Sequence, residues 1–126
     1  MNDQVTNKER AVSFLKMIVS NQVTQAFNEH VGASFIHHNP YFKGDADSLM
    51  TAMEENAAEN PDKVIEVKRA VEEGETVVVH SHIKQNSGEP GAAVVHIFRF
   101  RDDKIVELWD IGQQVPEESL NENGVF

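Results

Sequence analysis

The chain has no cysteine and few basic residues, and each shortage removes a class of function. Without cysteine there is no disulfide scaffold, no thiolate zinc site and no thiol nucleophile, so any metal would need His, Asp or Glu as ligands. Lys and Arg total 11 against 21 Asp and Glu, which gives a formal net charge of -10. Such a surface repels phosphate backbones and anionic lipids, so we expect neither nucleic acid nor a membrane as a partner.

Long apolar runs are also missing from the sequence. The longest ones span only a handful of residues, far short of the ~20 that a membrane helix needs, and the first ten residues lack an apolar signal core. These features predict a soluble, cytoplasmic protein. A chain of 126 residues with 40% hydrophobic residues predicts one domain over 1–126, with a core at about 6–115 and a C-terminal tail at 116–126.

The first part of the chain has helical periodicity. Thr6 and Glu9 have the spacing of a capping box, which predicts a helix that begins near Thr6. Apolar residues then recur every three or four positions up to Val19, as in a helix with one buried face. The same period resumes at Val23 and predicts a second, shorter helix that ends before Gly32.

A short extended piece and a third helix are predicted next. Residues 34–43 contain an Asn-Pro step, which disfavours helix, so this segment is expected to be extended and to turn into a loop. A third helix is expected to be capped by Asp45 or Asp47, and Pro61 prevents its continuation. The first half of the chain is therefore predicted to be mostly helical.

After Pro61 the apolar period changes from 3.6 to 2, which predicts β-strands. In the first strand this alternation places Ile65, Val67, Arg69 and Val71 on one side. Short turns separate the strands and favour antiparallel hairpins. Helices followed by strands predict an α+β fold, with three helices on a four-stranded or larger antiparallel sheet. The three later strands are expected at Thr76 to Lys84, Ala92 to Arg101 and Lys104 to Ile111.

Three strand histidines form the most informative pattern. His80 and His82 are two residues apart and share one face of their strand, as His96 and Phe98 do in the next strand. We therefore expect the three imidazoles to converge, and Asp110 to join them if the strand registers allow it. Register is not readable from one sequence, so this convergence is a hypothesis.

A carboxylate in such surroundings would be suited to carry protons. Burial disfavours the ionised form of Asp110, whereas imidazole donors favour it, so the group could be poised near neutral pH. Two alternatives remain open. Each histidine could simply fill a half-buried place with one ring nitrogen hydrogen-bonded, or His80, His82 and His96 could form a three-nitrogen site for iron or zinc.

The sequence His37-His38-Asn39-Pro40 marks a bend between the helices and the sheet. Such a bend can aim one imidazole and the Asn39 amide into a cavity while the other imidazole faces solvent, although hydrogen bonding within the loop is an alternative. Trp109 alternates with Asp110, so core packing or a subunit contact is favoured over stacking on a substrate.

Three segments resemble the SnoaL-like polyketide cyclase family of the nuclear transport factor 2-like superfamily. They are FIHHNP at 35–40, VVVHSH at 77–82 and IFRFRDDKIVELWD at 97–110, and the resemblance covers nearly the whole chain up to Pro116. It implies a cystatin-like cone, in which a strongly bent sheet wraps around a helix and leaves a pocket. It also implies a homodimer that binds a small-molecule ligand.

The resemblance further implies cofactor-free acid–base chemistry, in which a carboxylate removes a proton next to a carbonyl and leads to aldol closure or isomerisation. Asp110 would be the base, and no cofactor or metal is expected. Two alternatives are a non-catalytic protein that binds a small hydrophobic ligand and a histidine-ligated metal enzyme. The predicted catalytic residues are Asp110, His80 and His96, and the predicted substrate-binding residues are His38, Asn39, His82, Phe98 and Trp109.

Overall fold

A computed structural model describes residues 5–126 as three helices and one curled five-stranded sheet. This architecture confirms the predicted α+β class with three helices. No helix within 5–126 has the length and apolarity required to span a membrane. The helices are α1 (Asn7–Val19), α2 (Val23–His30) and α3 (Ala46–Glu59), and the strands are β1 (Val31–His37), β2 (Val64–Glu73), β3 (Thr76–Lys84), β4 (Ala92–Arg101) and β5 (Lys104–Gln114).

The helix starts follow the predicted caps. The Thr6 hydroxyl accepts the backbone N–H of Glu9 at 3.1 Å, and the Glu9 carboxylate accepts the backbone N–H of Thr6, which completes the capping box. For α3 the cap is Asp45, whose carboxylate accepts the Ser48 backbone N–H at 2.9 Å. These local hydrogen bonds satisfy amides that have no partner within the helix.

The sheet has one more strand than the four read from the sequence. Its order is β1-β5-β4-β3-β2, with β1 parallel to β5 and the remaining neighbours antiparallel. The predicted extended piece at 34–43 thus begins earlier, at Val31, and belongs to the sheet. Because its partner β5 lies about seventy residues later in the chain, no turn motif in the sequence indicates that the two strands pair.

One register shift changes the predicted faces of β2. The pairing with β3 is irregular between Val67 and Arg69, which adds one residue to β2 at this point. After the shift Ala70 packs against the core, and Val71 is 58% exposed. The prediction that Ile65, Val67, Arg69 and Val71 share one side is therefore wrong beyond Val67.

The core fills one end of the space between the helices and the sheet. Phe14 of α1 packs against Phe98 of β4 and Phe27 of α2, with ring centroids 6.0 and 5.5 Å apart. Phe98 and Phe100 are fully buried at the end of β4 where the chain turns into β5. Bulky aromatic side chains thus close this end, and a cavity lies at the other end, where β4 begins and β5 ends.

Candidate active site

A cavity of about 470 Å³ lies between α1, α3 and the sheet. This volume is within the range typical of small-molecule sites. A larger groove of about 660 Å³ beside α1 is more open, and its ionisable residues Lys8, Glu9 and Lys16 are all exposed to solvent. The apolar lining of the cavity includes Leu15, Ile18, Val19, Phe42, Leu49, Met53, Ile65, Ile83 and Val94, and the polar lining comprises Asn39, Asn56, Lys63, Gln85, Glu89, His96, Asp110 and Gln114.

Asp110 and His96 occupy the same wall of this cavity. They are directly opposite each other on the antiparallel strands β5 and β4, so their side chains project from the same face of the sheet. The Asp110 carboxylate oxygen Oδ2 accepts a hydrogen bond from Asn39 Nδ2 at 3.1 Å. The structure thus brings together three of the residues that the sequence predicted for the site: Asp110, His96 and Asn39.

The turn after β1 fixes the orientation of the Asn39 amide. Asn39 Oδ1 accepts the Tyr41 backbone N–H at 3.0 Å, which leaves the NH₂ group to donate to Asp110. The backbone N–H of Asn39 donates to His37 Nδ1 at 3.1 Å, and His37 Nε2–H donates to the Lys43 carbonyl. His37 therefore stabilises the turn from inside, with Nδ1 as acceptor and Nε2–H as donor.

His96 is a neutral imidazole for a different reason. His96 is only 6% exposed, and burial lowers the pKa of its imidazole to about 4, because the charged form loses its hydration. The Asp110 carboxylate acts in the opposite direction, and the Lys63 ammonium lowers the His96 pKa further. Within residues 5–126 the buried His96 Nδ1 has no hydrogen-bond partner. A neutral ring with an unused nitrogen can exchange a hydrogen bond with a ligand.

The other two strand histidines lie outside the cavity. His96 is directly opposite Val79, whose side chain alternates with that of His80, so His80 and His82 project from the opposite face of the sheet. The predicted convergence of three imidazoles is therefore wrong. The catalytic role predicted for His80 and the binding role predicted for His82 both depended on it.

On that outer face the two rings contact the last part of the described chain. The Phe126 ring lies 4.5 Å from the His82 ring and 5.7 Å from the His80 ring, and the Lys68 ammonium is 5.0 Å from its centroid. His82 Nε2–H donates to the Pro90 carbonyl at 2.7 Å. Phe126, the last residue of the predicted C-terminal tail, thus packs on its own chain.

The three-nitrogen metal site considered from the sequence does not form. His80 and His82 are separated from His96 by the thickness of the sheet, so they cannot share one ion. In the part of the chain that the structure describes, no three His, Asp or Glu side chains are grouped so as to hold a metal ion.

His38 and Trp109, both predicted to bind substrate, also lie away from the cavity. Their rings stack with centroids 4.8 Å apart, and His38 Nε2 is 2.6 Å from the Glu107 carboxylate. Arg99 Nε donates to the same carboxylate at 2.9 Å, and the hydrogen bonds from His38 and Arg99 lower the Glu107 pKa. Of the two adjacent histidines, the buried one is His37, because the bend turns His38 outward.

Phe98 faces inward as predicted, but it lies beneath the cavity as part of the core. It is fully buried, and its ring centroid is 6.1 Å from that of His96. Sequence reasoning missed Lys63 and Gln85, which line the cavity where β2 begins and just after β3 ends. Their positions next to strand ends are visible in the sequence, but no local pattern indicates that these ends meet.

The comparisons with known proteins point to one family. The model of the SnoaL-like domain matches residues 12–108. No curated protein matches the chain. Solved structures with a similar fold include an NTF2-like protein from Cytophaga hutchinsonii. It is 18% identical to this chain with a TM-score of 0.71, and the alignment covers 90% of this chain and 95% of that one.

Two further structures come from Streptomyces. IdmH from Streptomyces antibioticus, a candidate polyketide cyclase, is 16% identical with a TM-score of 0.68, and the alignment covers 86% of this chain and 93% of that one. AclR from Streptomyces galilaeus, a candidate hydroxylase, is 22% identical with a TM-score of 0.67. The alignment covers 86% of this chain and 81% of AclR. At these identities the structures show a shared fold. Since the family model spans most of the chain and the fold agrees with it, this chain belongs to the SnoaL-like domain family, with an NTF2-like fold.

Proposed function

We propose that this chain is a cofactor-independent acid–base enzyme that removes a proton next to the carbonyl group of a small molecule. The observation that carries the proposal is the Asp110 carboxylate, which is held at the cavity wall by Asn39 and lies directly opposite the neutral His96. Membership of a family that includes small-molecule enzymes supports it. Asp110, His96 and Asn39 are the proposed catalytic group.

In the proposed reaction, Asp110 acts as the base. Its Oδ2 is engaged by Asn39, whereas Oδ1 has no hydrogen-bond partner within residues 5–126 and is free to accept a proton. The C–H bond breaks, an O–H bond forms on Asp110, and the electron pair moves onto the carbonyl oxygen to give an enolate. Neutral His96 donates a ring N–H to that oxygen. The enolate then attacks a second carbonyl in an aldol closure and the resulting alkoxide takes the proton from Asp110, or Asp110 returns the proton to another carbon of the enolate; either route restores the carboxylate.

The test is hydrogen exchange on a simple ketone of suitable size. We expect the protein to accelerate deuterium incorporation next to the carbonyl of 2-tetralone in D₂O, as followed by NMR. Asp110→Asn removes the base but keeps the shape, so the accelerated rate should fall by about 100-fold or more. Asp102→Asn is the matched control, because Asp102 is an exposed turn residue with positive φ, which Asn also tolerates.

A non-catalytic ligand-binding protein is the second candidate, and the mainly apolar lining of the cavity favours it. Such a protein would bind 2-tetralone saturably while showing no exchange above buffer. Exchange that survives in Asp110→Asn would contradict the proposed base. Saturable binding without any accelerated exchange in the wild type would replace the enzyme by the binding protein.

The proposal includes a homodimer that forms through the outer face of the sheet. Aliphatic side chains are exposed on this face, among them Val71 and Ile111 at 58% each. Exposed apolar side chains grouped on one face favour burial of that face against another protein surface. Light scattering on the purified protein should give about twice the 14.1 kDa mass of the chain, and Ile111→Glu should reduce it to one chain.

A further inference from the structure

A second set of polar side chains lies in the same cavity, apart from Asp110. Lys63 directly precedes β2, Asn56 is in the last turn of α3, and Gln85 directly follows β3. Lys63 Nζ donates a hydrogen bond to Asn56 Oδ1. Three elements thus deliver one ammonium and two amide groups to one part of the cavity wall.

This group and Asp110 reach the cavity from different strands of the sheet. Lys63 directly precedes β2 and Asp110 is on β5, and β3 and β4 lie between these two strands. The Lys63 charge still acts on His96, which is directly opposite Asp110, so both polar groups belong to one cavity. Because apolar side chains also line this cavity, a ligand that contacts both Lys63 and Asp110 needs two polar groups on an apolar body.

The Lys63 ammonium has no charged partner in the described chain. Within 5–126 it forms no salt bridge, and its hydrogen bond goes to a neutral amide. Its side chain is partly buried, and burial lowers its pKa, so the site disfavours an uncompensated positive charge. An anionic ligand group next to Nζ would relieve this cost.

Gln85 supplies a further polar group at the same place. Its buried Oε1 has no hydrogen-bond partner within the described residues. Because the oxygen and nitrogen of a terminal amide exchange places on rotation, this group can present N–H to an anion. Buried polar atoms without partners are uncommon in folded proteins, and among the described residues that line this cavity both Gln85 and His96 have one, which indicates a bound ligand.

Two carboxylates also line the cavity, and both are already engaged. Glu89 Oε2 accepts the backbone N–H of Gln85 at 3.0 Å, and Asp110 Oδ2 accepts Asn39 Nδ2. Neither lies within salt-bridge distance of Lys63 in the described chain. They reduce the attraction for an anion elsewhere in the cavity, so the favourable position for an anion is next to the ammonium itself.

We propose that Lys63 and Gln85 form a carboxylate-binding subsite and that the ligand of this cavity is an organic carboxylate with an apolar body. A single ammonium with one amide suits a monovalent, planar carboxylate better than a phosphate, which needs more donors. Combined with the proposed function, on which this part rests, the substrate class is a carbonyl compound that also carries a carboxylate apart from its reacting carbon.

Binding of two matched probes tests the subsite without requiring turnover. 2-Naphthoate and 2-naphthamide share an aromatic body and differ in charge, and isothermal titration calorimetry at neutral pH and low salt measures both. We expect the wild type to bind 2-naphthoate about tenfold more tightly than 2-naphthamide. Lys63→Met should remove this preference while leaving the affinity for 2-naphthamide nearly unchanged.

Two further variants serve as controls. Lys63→Arg keeps the positive charge and should retain a preference for 2-naphthoate. A preference lost in Lys63→Met but kept in Lys63→Arg would show that the charge is responsible and not altered packing by the Met side chain. Lys16→Met removes the same charge from the exposed surface of α1 and should leave the preference intact. Equal affinities in the wild type, failure of both probes to bind, or a preference that persists in Lys63→Met would each overturn the proposal.

The subsite and the proposed reaction fail in different experiments. Asp110→Asn should abolish ketone exchange and still prefer 2-naphthoate, because Lys63 is unchanged. Lost preference with intact exchange in the wild type would reject the subsite alone, whereas intact preference without exchange would reject the enzyme alone.

Discussion

The side chains of Asp110 and His96 lie directly opposite each other across β5 and β4, so the charge of one acts on the protonation of the other. Burial dominates this relationship and keeps the imidazole neutral, while the carboxylate opposes it. The wall of the cavity therefore holds a carboxylate that can accept a proton and a neutral ring whose N–H can donate a hydrogen bond.

The neutral state of His96 predicts how stability depends on pH. The His96 pKa is lowered from 6.5 to about 4 in the folded protein, so the unfolded chain binds the proton first as the pH falls. The folded state therefore loses stability as the pH falls, by roughly 2 kcal/mol between pH 8 and 5, with most of the loss below pH 6.5. Above about pH 8 this residue contributes almost no pH dependence.

Denaturant unfolding of the wild type and of His96→Gln at several pH values measures this contribution. The variant should lose about 2 kcal/mol less than the wild type between pH 8 and 5. Its absolute stability can shift, so the slopes are compared and not the values at one pH. Parallel slopes for the two proteins would show that His96 titrates normally in the folded state.

Asn39→Ala tests whether the amide positions the base. The variant loses the hydrogen bond to Asp110 Oδ2 and the one from the Tyr41 backbone. We expect the exchange rate with 2-tetralone to fall by about 10- to 100-fold while saturation with the ketone changes little, because the carboxylate remains but is less well held. The unfolding free energy should fall by about 1–2 kcal/mol.

The rate per folded molecule distinguishes positioning from general damage. If Asn39 positions the base, the maximal exchange rate at saturating 2-tetralone should fall even when denaturant curves show that the variant is fully folded. If only the unfolding free energy falls and the rate per folded molecule is unchanged, Asn39 acts on the turn and not on the base.

Two glycines with positive φ offer a matched test of the cavity wall. Gly91 has a φ of +77°, and a Cβ there would lie 2.4 Å from the Ile83 carbonyl oxygen. Gly74 has a φ of +58°, with nothing within 4 Å of its Cβ position. Gly74→Ala should therefore cost only the backbone strain, about 1–2 kcal/mol, whereas Gly91→Ala should cost clearly more, because β3 or the loop must move.

Thermal unfolding of the two variants provides the comparison. Since Gly91 lines the cavity, the displacement in Gly91→Ala should also weaken 2-naphthamide binding, which Gly74→Ala should leave intact. Equal destabilisation by the two substitutions would mean that the contact with the Ile83 carbonyl relaxes at no cost.

Local signals were sufficient for part of the site. The alternation within β5 separates Asp110 from Trp109, and the Asn-Pro bend places the Asn39 amide near the sheet, as the structure confirms. The same alternation put His80 and His82 on one face, which is also correct. It could not show that this face is the one opposite His96, because the relative register of β3 and β4 is set by pairing between strands.

By itself the sequence determined the helix caps, the change from helical to strand period and hence the α+β class, since capping and periodicity depend on residues within a few positions of one another. Only the tertiary structure decided that β1 joins β5, that a bulge turns Val71 outward, and that Lys63 and Asp110 line one cavity. Those outcomes depend on contacts between residues far apart in the chain, whose energies no local pattern records.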